Sequence, residues 1–474
     1  MDEPQAGLGR VDGALLDGLR AVLGERLAAS EAVCAQHGRG EGLAVLAAPD
    51  AVAFPESTDE VAAIARLCHA ARAPMIPFGT GTSLEGHVAA VHGGICIDLT
   101  RLKRIISVSP EAMDCRVEAG VTRGELNADL RASGLQFPVD PGADASIGGM
   151  AATRASGTAA VRYGSMRENV LGLTVVTPDG RTIRTGSRAR KSAAGLDLTR
   201  LYVGSEGTLG IITEIQLRLH GIPEAALVAT CPFPDLAAAV GASTAVLQAG
   251  IPVVRMELLN AAQMAASIAY SRLNHLQAAP TLFFEFNGSA AGVREQSGLV
   301  EELVAEFGGG KLALAEQPEE RSRLWKARAD VYPADLALVP GGSMICTDAC
   351  VPISELVACI AETEEDIART GLPAPILGHV GDGNFHLNIV YWPEDADERA
   401  RAEGLAQRVG LRAIRYGGTC TGEHGIGLHK REQLAAEAGE ALAVMGAIKA
   451  ALDPRGLMNP GKMLSPAAFA HPFS

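Results

Sequence analysis

The sequence has no uncharged apolar run approaching the roughly 18 residues of a membrane-spanning helix, so any membrane contact is expected to be peripheral. It has no C-x-x-C pair. Its nine cysteines are an odd number and widely spread, Cys346 and Cys350 being the closest two, which argues against a disulfide framework and for reduced thiols in a cytosolic-type compartment. The start, MDEPQAGLGR, lacks the basic and apolar regions of a secretory signal and the Arg-rich character of a transit peptide. A cytoplasmic location is therefore expected, with the inner membrane touched at most from its surface. Both standard nucleotide fingerprints are missing: Leu84 stands where a G-x-G-x-x-G run from Gly79 needs its third glycine, and no G-K-[ST] occurs. Internal repeats and low-complexity tracts are lacking too. Positive charge is in deficit, with a net charge of −14 and a pI near 5.3. Such a surface repels phosphate backbones and argues against nucleic acid as a partner. A small anionic substrate would need a local cationic pocket.

What is present is a chain of 474 residues, 47% hydrophobic, long enough for two or three domains with a sizeable core. Residues 1–44 read as a leading helical segment, with Leu15, Leu16, Leu19 and Leu23 on one face. AVLAAP follows as a short strand. In STDEVAAIARLCHAA, Ser57 and Glu60 fit a capping box and Val61, Ile64, Ala65 and Cys68 form an apolar stripe. APMIPFG completes a β-α-β unit ending in glycines. GGICIDL, RIISVS and DCRVEAG read as strands, Thr122 and Glu125 cap a second helix, and VLGLTVVTPDGRTI reads as a hairpin turning at Asp179-Gly180. Residues 45–222 are thus one expected domain, closing at Pro223. From 223 to 415, strands such as TLFFEFNG alternate with long helical stretches. Residues 416–474 return to glycine-rich loops and a helix stopped by Asp453-Pro454. The expected class is α+β, with two subdomains in the first domain and an antiparallel sheet in the second.

Three segments place glycine where backbone amides could approach a large anionic ligand: GTGTSLEGH from Gly79, DPGADASIGGMAA from Asp140 and GSEGTLGIIT from Gly204. One such loop is more often an ordinary turn; three before residue 215 make the two readings even. Further on, HVGDGNFHLN sets two histidines about a four-residue turn. A four-residue hairpin loop pairs Val380 with Phe385 and so His379 with His386, close enough for two imidazoles to share a cation, and alternation puts Asn388 on the face of His386. Two half-buried, hydrogen-bonded histidines would satisfy the same pattern. What tips the balance is TCTGEHGIG, whose Glu423 and His424 lie in a loop too glycine-rich to be simply core. Two imidazoles and a carboxylate make a three-ligand site with open positions, as in catalytic metal centres.

FGTGTSLEGH, DPGADASIGGMAATRASGTAAVRYG, GSEGTLGIIT, HVGDGNFH, GGTCTGEHGIG and LMNPGK together resemble the FAD-dependent D-2-hydroxyacid dehydrogenases of the vanillyl-alcohol oxidase flavoprotein superfamily, most closely the D-lactate dehydrogenases. The likeness spans residues 45 to 464. It implies that Gly79, Thr80, Gly81, Thr82 and Ser83 hold the FAD pyrophosphate, and that Pro141, Gly142, Ser146, Gly148, Gly149, Ser156, Gly157, Gly210, Ile211 and Ile212 line the rest. Phe78, Gly86, Ile147, Tyr163, Gly164, Glu206 and Asn459 complete the implied cofactor set. Thr80 stands where many relatives have glycine, and Arg154 where a small residue is common. His87 invites the thought of covalent attachment, but relatives with this loop bind FAD non-covalently.

The resemblance further implies that His379, His386 and Glu423 bind a divalent cation, zinc or manganese, and that His424 is the base. In LWKARADVY, Lys326 and Arg328 are the candidate cations for a substrate carboxylate. A solvated helix face is the plainer reading of that stretch, but the family's carboxylate-binding arginine matches Arg328, and His424 and Asn388 are expected at the substrate too. Relatives specific for D-2-hydroxyglutarate carry a threonine and a lysine where Tyr332 and Cys346 stand here, so D-lactate and related D-2-hydroxy monocarboxylates are the expected substrates. D-2-hydroxyglutarate dehydrogenase, a glycolate-oxidising subunit, or a non-catalytic flavin-binding subunit are the alternatives. The electron acceptor stays open between quinone, a cytochrome and an electron-transfer flavoprotein, as does the assembly, a homodimer included.

Overall fold

The computed structural model describes residues 8–41, 47–273 and 276–465. Two units result, one formed by Met1–Ala155, Ser165–Ile222 and Glu423–Ser474, the other by Ser156–Gly164 and Pro223–Gly422.

In the first unit the leucines of the leading segment do form a helix, Gly13–Leu23, opened by Asp12 accepting from the Leu15 amide. Leu15, Leu19 and Leu23 are buried in the core that also holds Ile64, Val117 and Ile215, so this segment is part of the unit rather than an appendage. Each such side chain contributes on the order of 1.5–3 kcal/mol of burial. A four-stranded sheet follows, of β1 (Leu27–Ala28), β2 (Ala51–Ala53), β3 (Met75–Phe78) and β4 (Ile95–Asp98), in the order β1-β2-β4-β3. Of the strand expected at AVLAAP, residues 44–46 lie outside the described residues and 47–49 join no sheet; the strand is Ala51–Ala53, all three buried beside β4. Between β2 and β3 runs the helix Thr58–Ala71, capped by Ser57. Only half of its expected capping box forms, because the Glu60 carboxylate is taken by Arg26 at 2.6 Å and by the Glu56 amide. The Thr122–Glu125 box forms in full.

The second sheet is antiparallel and built from β5 (Ile105–Ser109), β6 (Asp114–Glu118), β8 (Val170–Val176), β9 (Thr182–Gly186) and β10 (Ile211–Arg218), ordered β5-β6-β10-β8-β9. A two-stranded pair joins β7 (Leu135–Gln136) to β11 (His220–Gly221). Gly180, at φ 81°, makes the β8–β9 turn, and a Cβ there would sit 2.7 Å from the Ala62 carbonyl oxygen.

The second unit is one antiparallel sheet backed by helices. Its strands are β12 (Ala225–Pro232), β13 (Arg255–Leu259), β14 (Thr281–Gly288), β15 (Ala313–Ala315), β16 (Ser343–Cys346), β17 (Ala349–Cys350), β18 (Ile376–Gly378) and β19 (Asn384–Tyr391). They run in the order β15-β12-β14-β13-β18-β19-β16, with β17 also on β19. The units depart from the expected boundaries at two places. Residues 156–164 belong with the second unit, where Val161 packs on the turn at Gly381, and the chain stays in that unit to Gly422 because Thr419 bridges to Cys350.

In the first unit, Gly148 approaches the end of β6 so closely that a Cβ would lie 2.6 Å from that of Ala119, the residue after the strand. Gly148→Ala is therefore expected to destabilise the protein by about 1–3 kcal/mol through overpacking, measured as a lower urea midpoint at unchanged slope.

Candidate functional site

His379 and His386 come together, but not by the expected pairing. The hairpin pairs Leu377 with His386 and Ile376 with Leu387, two residues off the predicted register, and residues 380–382 form a 3₁₀ turn. The turn is wider because the amides of Asp382 and Asn384 both donate to the His379 carbonyl, at 2.9 and 3.3 Å, while Gly383 at φ 75° lies against Val351. A shift of two preserves which face each side chain takes. The rings still meet edge to face, with centroids 5.3 Å apart.

What fixes these rings is a pair of acceptors that sequence reasoning missed. His379 Nδ1 lies 2.6 Å from Glu257 Oε1, and His386 Nδ1 lies 3.0 Å from the Thr347 carbonyl oxygen. Carboxylate and carbonyl oxygens can only accept here, so each Nδ1 carries a proton, and in a neutral imidazole Nε2 is then the unprotonated nitrogen. That is the tautomer a metal requires, oriented as the outer partners of metal-bound histidines orient them. Glu257 has no exposed surface, and its carboxyl lies below the usual range: burial pushes it up, but His379 and Arg328 outweigh that.

The third expected ligand follows from the loop before it. Gly418 lies on Cys350, where a Cβ would be 2.1 Å from the carbonyl oxygen, and Gly422 lies on Asn384, where a Cβ would be 2.4 Å from Nδ2. Thr421 Oγ1 and Asn384 Nδ2 both donate to buried Asp348, each at 2.7 Å. Glu423 is bonded directly to Gly422. One ligand atom each from His379, His386 and Glu423 lie within 4.8 Å of one another, the group among the described residues that could hold a metal ion.

Of the two candidate cations, Lys326 is exposed and paired with Asp330 at 2.6 Å, whereas Arg328 is buried and grips Glu257 Oε2 through Nε at 2.8 Å and Nη2 at 2.7 Å. Asn388 shares the face of His386 on β19 and is paired with Cys346 on β16. Its Nδ2 donates to Asp335 at 2.7 Å.

In the first unit, the 424–428 loop is tied down by two more buried carboxylates. Glu206 accepts from the amides of Ile426 and Gly427 at 2.7 and 2.8 Å and lies 3.1 Å from His87 Nε2. Glu85 meets Lys430 at 2.9 Å, His429 at 3.4 Å and His424 Nδ1 at 3.9 Å. Burial alone would raise the Glu85 carboxyl; Lys430, His429 and His424 bring it down to about 2. Asn459, at φ 43°, donates to the carbonyls of His87 and Glu206.

The glycine loops form a cradle in this unit. A Cβ on Gly79 would lie 2.4 Å from Ser146 Oγ, so loop 79–83 and the start of the helix Ile147–Thr153 meet at backbone distance. The donors offered there are amides and the hydroxyls of Thr80, Thr82, Ser83 and Ser146; Asp144 turns away, to the Gly124 amide and Thr122. Ser205 Oγ and Asn459 Oδ1 are buried and unpartnered among the described residues. Phe78, Gly79, Thr80 and Gly81 also line an open cleft of about 510 Å³ with His37, Phe54 and Asp98. Amide and hydroxyl donors beside a cleft of mixed polar and aromatic lining fit a dinucleotide.

The remaining residues of the implied cofactor set are spread over both units. Ile211 and Ile212 bury their side chains in the core, and Gly210 is needed for packing against Val175. Pro141 and Gly142 lie on the loop before Ser146, and Gly86 packs on Leu428. Ser156, Gly157, Tyr163 and Gly164 fall in the second unit. Arg154 clips its helix to the third loop by donating to the Val203 carbonyl under Gly204.

Glu257 was detectable: VVRMELLN is an apolar strand with one acid inside it, and a buried acid needs partners.

Residues 49–186 match the family model "FAD binding domain" and 222–463 match "FAD linked oxidases, C-terminal domain". The chain is 51% identical to the probable mitochondrial D-lactate dehydrogenase of Danio rerio over 95% of its own length and 91% of that protein. It is 46% identical to the mitochondrial D-lactate dehydrogenase [cytochrome] of Arabidopsis thaliana (88% and 74% covered) and 31% to the glycolate oxidase subunit GlcD of Escherichia coli K12 (87% and 83%). Among solved structures it superposes on 4-ethylphenol oxidase from Gulosibacter chungangensis with a TM-score of 0.77, at 16% identity over 96% of this chain and 98% of the other. The α+β fold is therefore that of the vanillyl-alcohol oxidase type. The chain belongs to the FAD-dependent D-2-hydroxyacid dehydrogenases of the vanillyl-alcohol oxidase flavoprotein superfamily, and is an FAD-linked oxidoreductase.

Proposed function

We propose that this enzyme oxidises D-lactate and related D-2-hydroxy monocarboxylates to the 2-keto acid, with a divalent cation, zinc or manganese, held by His379, His386 and Glu423. The observation that carries it is that one ligand atom each from His379, His386 and Glu423 lie within 4.8 Å of one another, with the Nδ1 bonds to Glu257 and Thr347 setting the tautomer of each imidazole. Bound FAD would supply the acceptor for the α-hydrogen and its electron pair. The cation would supply Lewis-acid polarisation of the substrate hydroxyl, lowering its pKa. His424, directly after Glu423, takes the hydroxyl proton, the general-base role an imidazole commonly fills. Arg328 binds the substrate carboxylate with the N–H groups Glu257 leaves over, and Asn388 orients the substrate from β19. Cys346, opposite Asn388, brings a neutral thiol where a second carboxylate would want a cation, which favours monocarboxylates.

The D-lactate dehydrogenase names of the relatives support this substrate class, and "cytochrome" in one of them makes a cytochrome the acceptor we favour. "Mitochondrial" in those names belongs to the relatives; for this chain a cytosolic compartment remains the proposal, resting on nine cysteines that form no disulfide. Among the described residues no helix is long and apolar enough to cross a membrane.

Anaerobic D-lactate is expected to bleach the flavin of the purified protein while L-lactate leaves it unchanged, and bleaching by D-2-hydroxyglutarate in preference would overturn the substrate assignment. His386→Ala or Glu423→Ala should lower bound metal below stoichiometric and slow bleaching by about 100-fold or more, read by metal analysis and stopped-flow absorbance.

Asn388 depends on Asp335, which is fully buried and also accepts from Gln263 Nε2 at 2.7 Å. Burial pushes the Asp335 carboxyl up to about 6, against the pull of Asn388, Gln263 and Arg328. An acid raised in the folded state contributes stability below its unfolded value near 4 and loses it as pH rises through about 6. The stability of Asp335→Asn relative to wild type should therefore increase by up to about 3 kcal/mol between pH 4 and pH 7; urea titrations at several pH values measure it, and a flat difference would refute it.

A further inference from the structure

The ladder between β13 and β18 pairs Leu258 with Gly378, and continuing it one step sets Glu257 opposite His379. The carboxylate is divided between two tasks. Oε1 takes the Nδ1 proton of His379 at 2.6 Å, and Oε2 takes the Nε and Nη2 edge of Arg328 at 2.8 and 2.7 Å. Glu257 is 0% exposed, and Arg328 and His379 are 8% and 7% exposed, so water competes for neither oxygen. We propose that Glu257 is a positioning residue shared by the cation site and the substrate-carboxylate site, making cation affinity and substrate recognition fall together when it is changed. The inference rests on the function proposed above.

Hydrogen-bond valence ties the two sites together. Glutamate offers acceptors at both ends, and both neighbours are donors. Glutamine offers one acceptor and one donor of nearly the same shape. If its amide nitrogen faces His379, the imidazole must accept at Nδ1 and carry its proton on Nε2, which blocks the metal lone pair. If the nitrogen faces Arg328 instead, two donors confront each other in a dry site and the guanidinium loses its fixed orientation. Both arrangements are open to the side chain, so both functions weaken.

The test uses FAD-loaded protein and compares wild type with Glu257→Gln. Zinc affinity is measured by competition with a chromophoric chelator, which needs no turnover. KM and kcat for D-lactate are measured separately at saturating zinc. The expected result is a roughly 10- to 100-fold loss of zinc affinity, with KM raised about tenfold at saturating zinc, the equivalent of about 1.4 kcal/mol. Zinc affinity within twofold of wild type, or a loss of zinc affinity with KM unchanged at saturating zinc, would overturn the shared role. If Glu257→Gln does not fold, Glu257→Gln/Arg328→Gln removes both charges of the buried pair together. Zinc affinity in that variant should still fall at least tenfold, because His379 has lost its carboxylate, and affinity equal to wild type would overturn the proposal. Wild-type protein that binds no zinc would sink the cation reading itself, a result separable from wild-type binding that the substitution leaves intact.

Discussion

A carboxylate taken out of water must be neutralised or it will not stay charged, and four buried acids organise this molecule by that rule. Glu257 and Asp348 lie in the second unit, at 0% and 2% exposure; Glu85 and Glu206 lie in the first, each at 5%. Each collects donors from segments distant in sequence. Glu257 joins β13 to the turn at His379 and to Arg328. Asp348 joins Asn384 to the 417–422 loop through Thr421. Glu206 and Glu85 hold the loop that follows, from Ile426 to Lys430. Removing one would leave uncompensated donors at a place where loops, not helices, set the geometry.

Glycine is the complement of that arrangement. An anchoring carboxylate can gather backbone amides only where no side chain stands between, and Gly427 shows the limit: at φ 52°, a Cβ there would lie 2.0 Å from the Glu85 carbonyl oxygen. Gly425, at φ 80°, sits against both Glu206 and His87. The GEHGIG stretch is thus shaped by what it touches, and its glycines are where contact is closest.

This division explains what could be read from the sequence. The strands and helices with apolar periodicity emerged near their expected places, as did the Asp179-Gly180 hairpin and the caps at Ser57 and Thr122, because local chemistry decides them. The two histidines were legible as a pair for the same reason. Their register was not, since the turn width depends on Gly383 approaching Val351, a contact 32 residues away in the chain. Nor was the fate of Glu60, drawn from its own cap by Arg26. Lone acids inside apolar strands, such as Glu257, were visible as anomalies, but their partners are tertiary and lie 71 and 122 residues off.

Charge accounting then bears on the proposed chemistry. Arg328 and Glu257 cancel, so the buried pair offers a substrate carboxylate a directed fork of N–H groups but little net positive charge. The protein as a whole is acidic, at −14, and gives no long-range attraction to an anion. A D-2-hydroxyacid carries one negative charge and develops a second as its hydroxyl deprotonates. Two neutral imidazoles and one carboxylate around a divalent ion sum to one positive charge, which offsets the first of these. The second is offset by the positive charge a base gains on taking that proton, the part proposed for His424. On this accounting the arginine gives direction, the cation gives charge, and the buried glutamate keeps the arginine from supplying both.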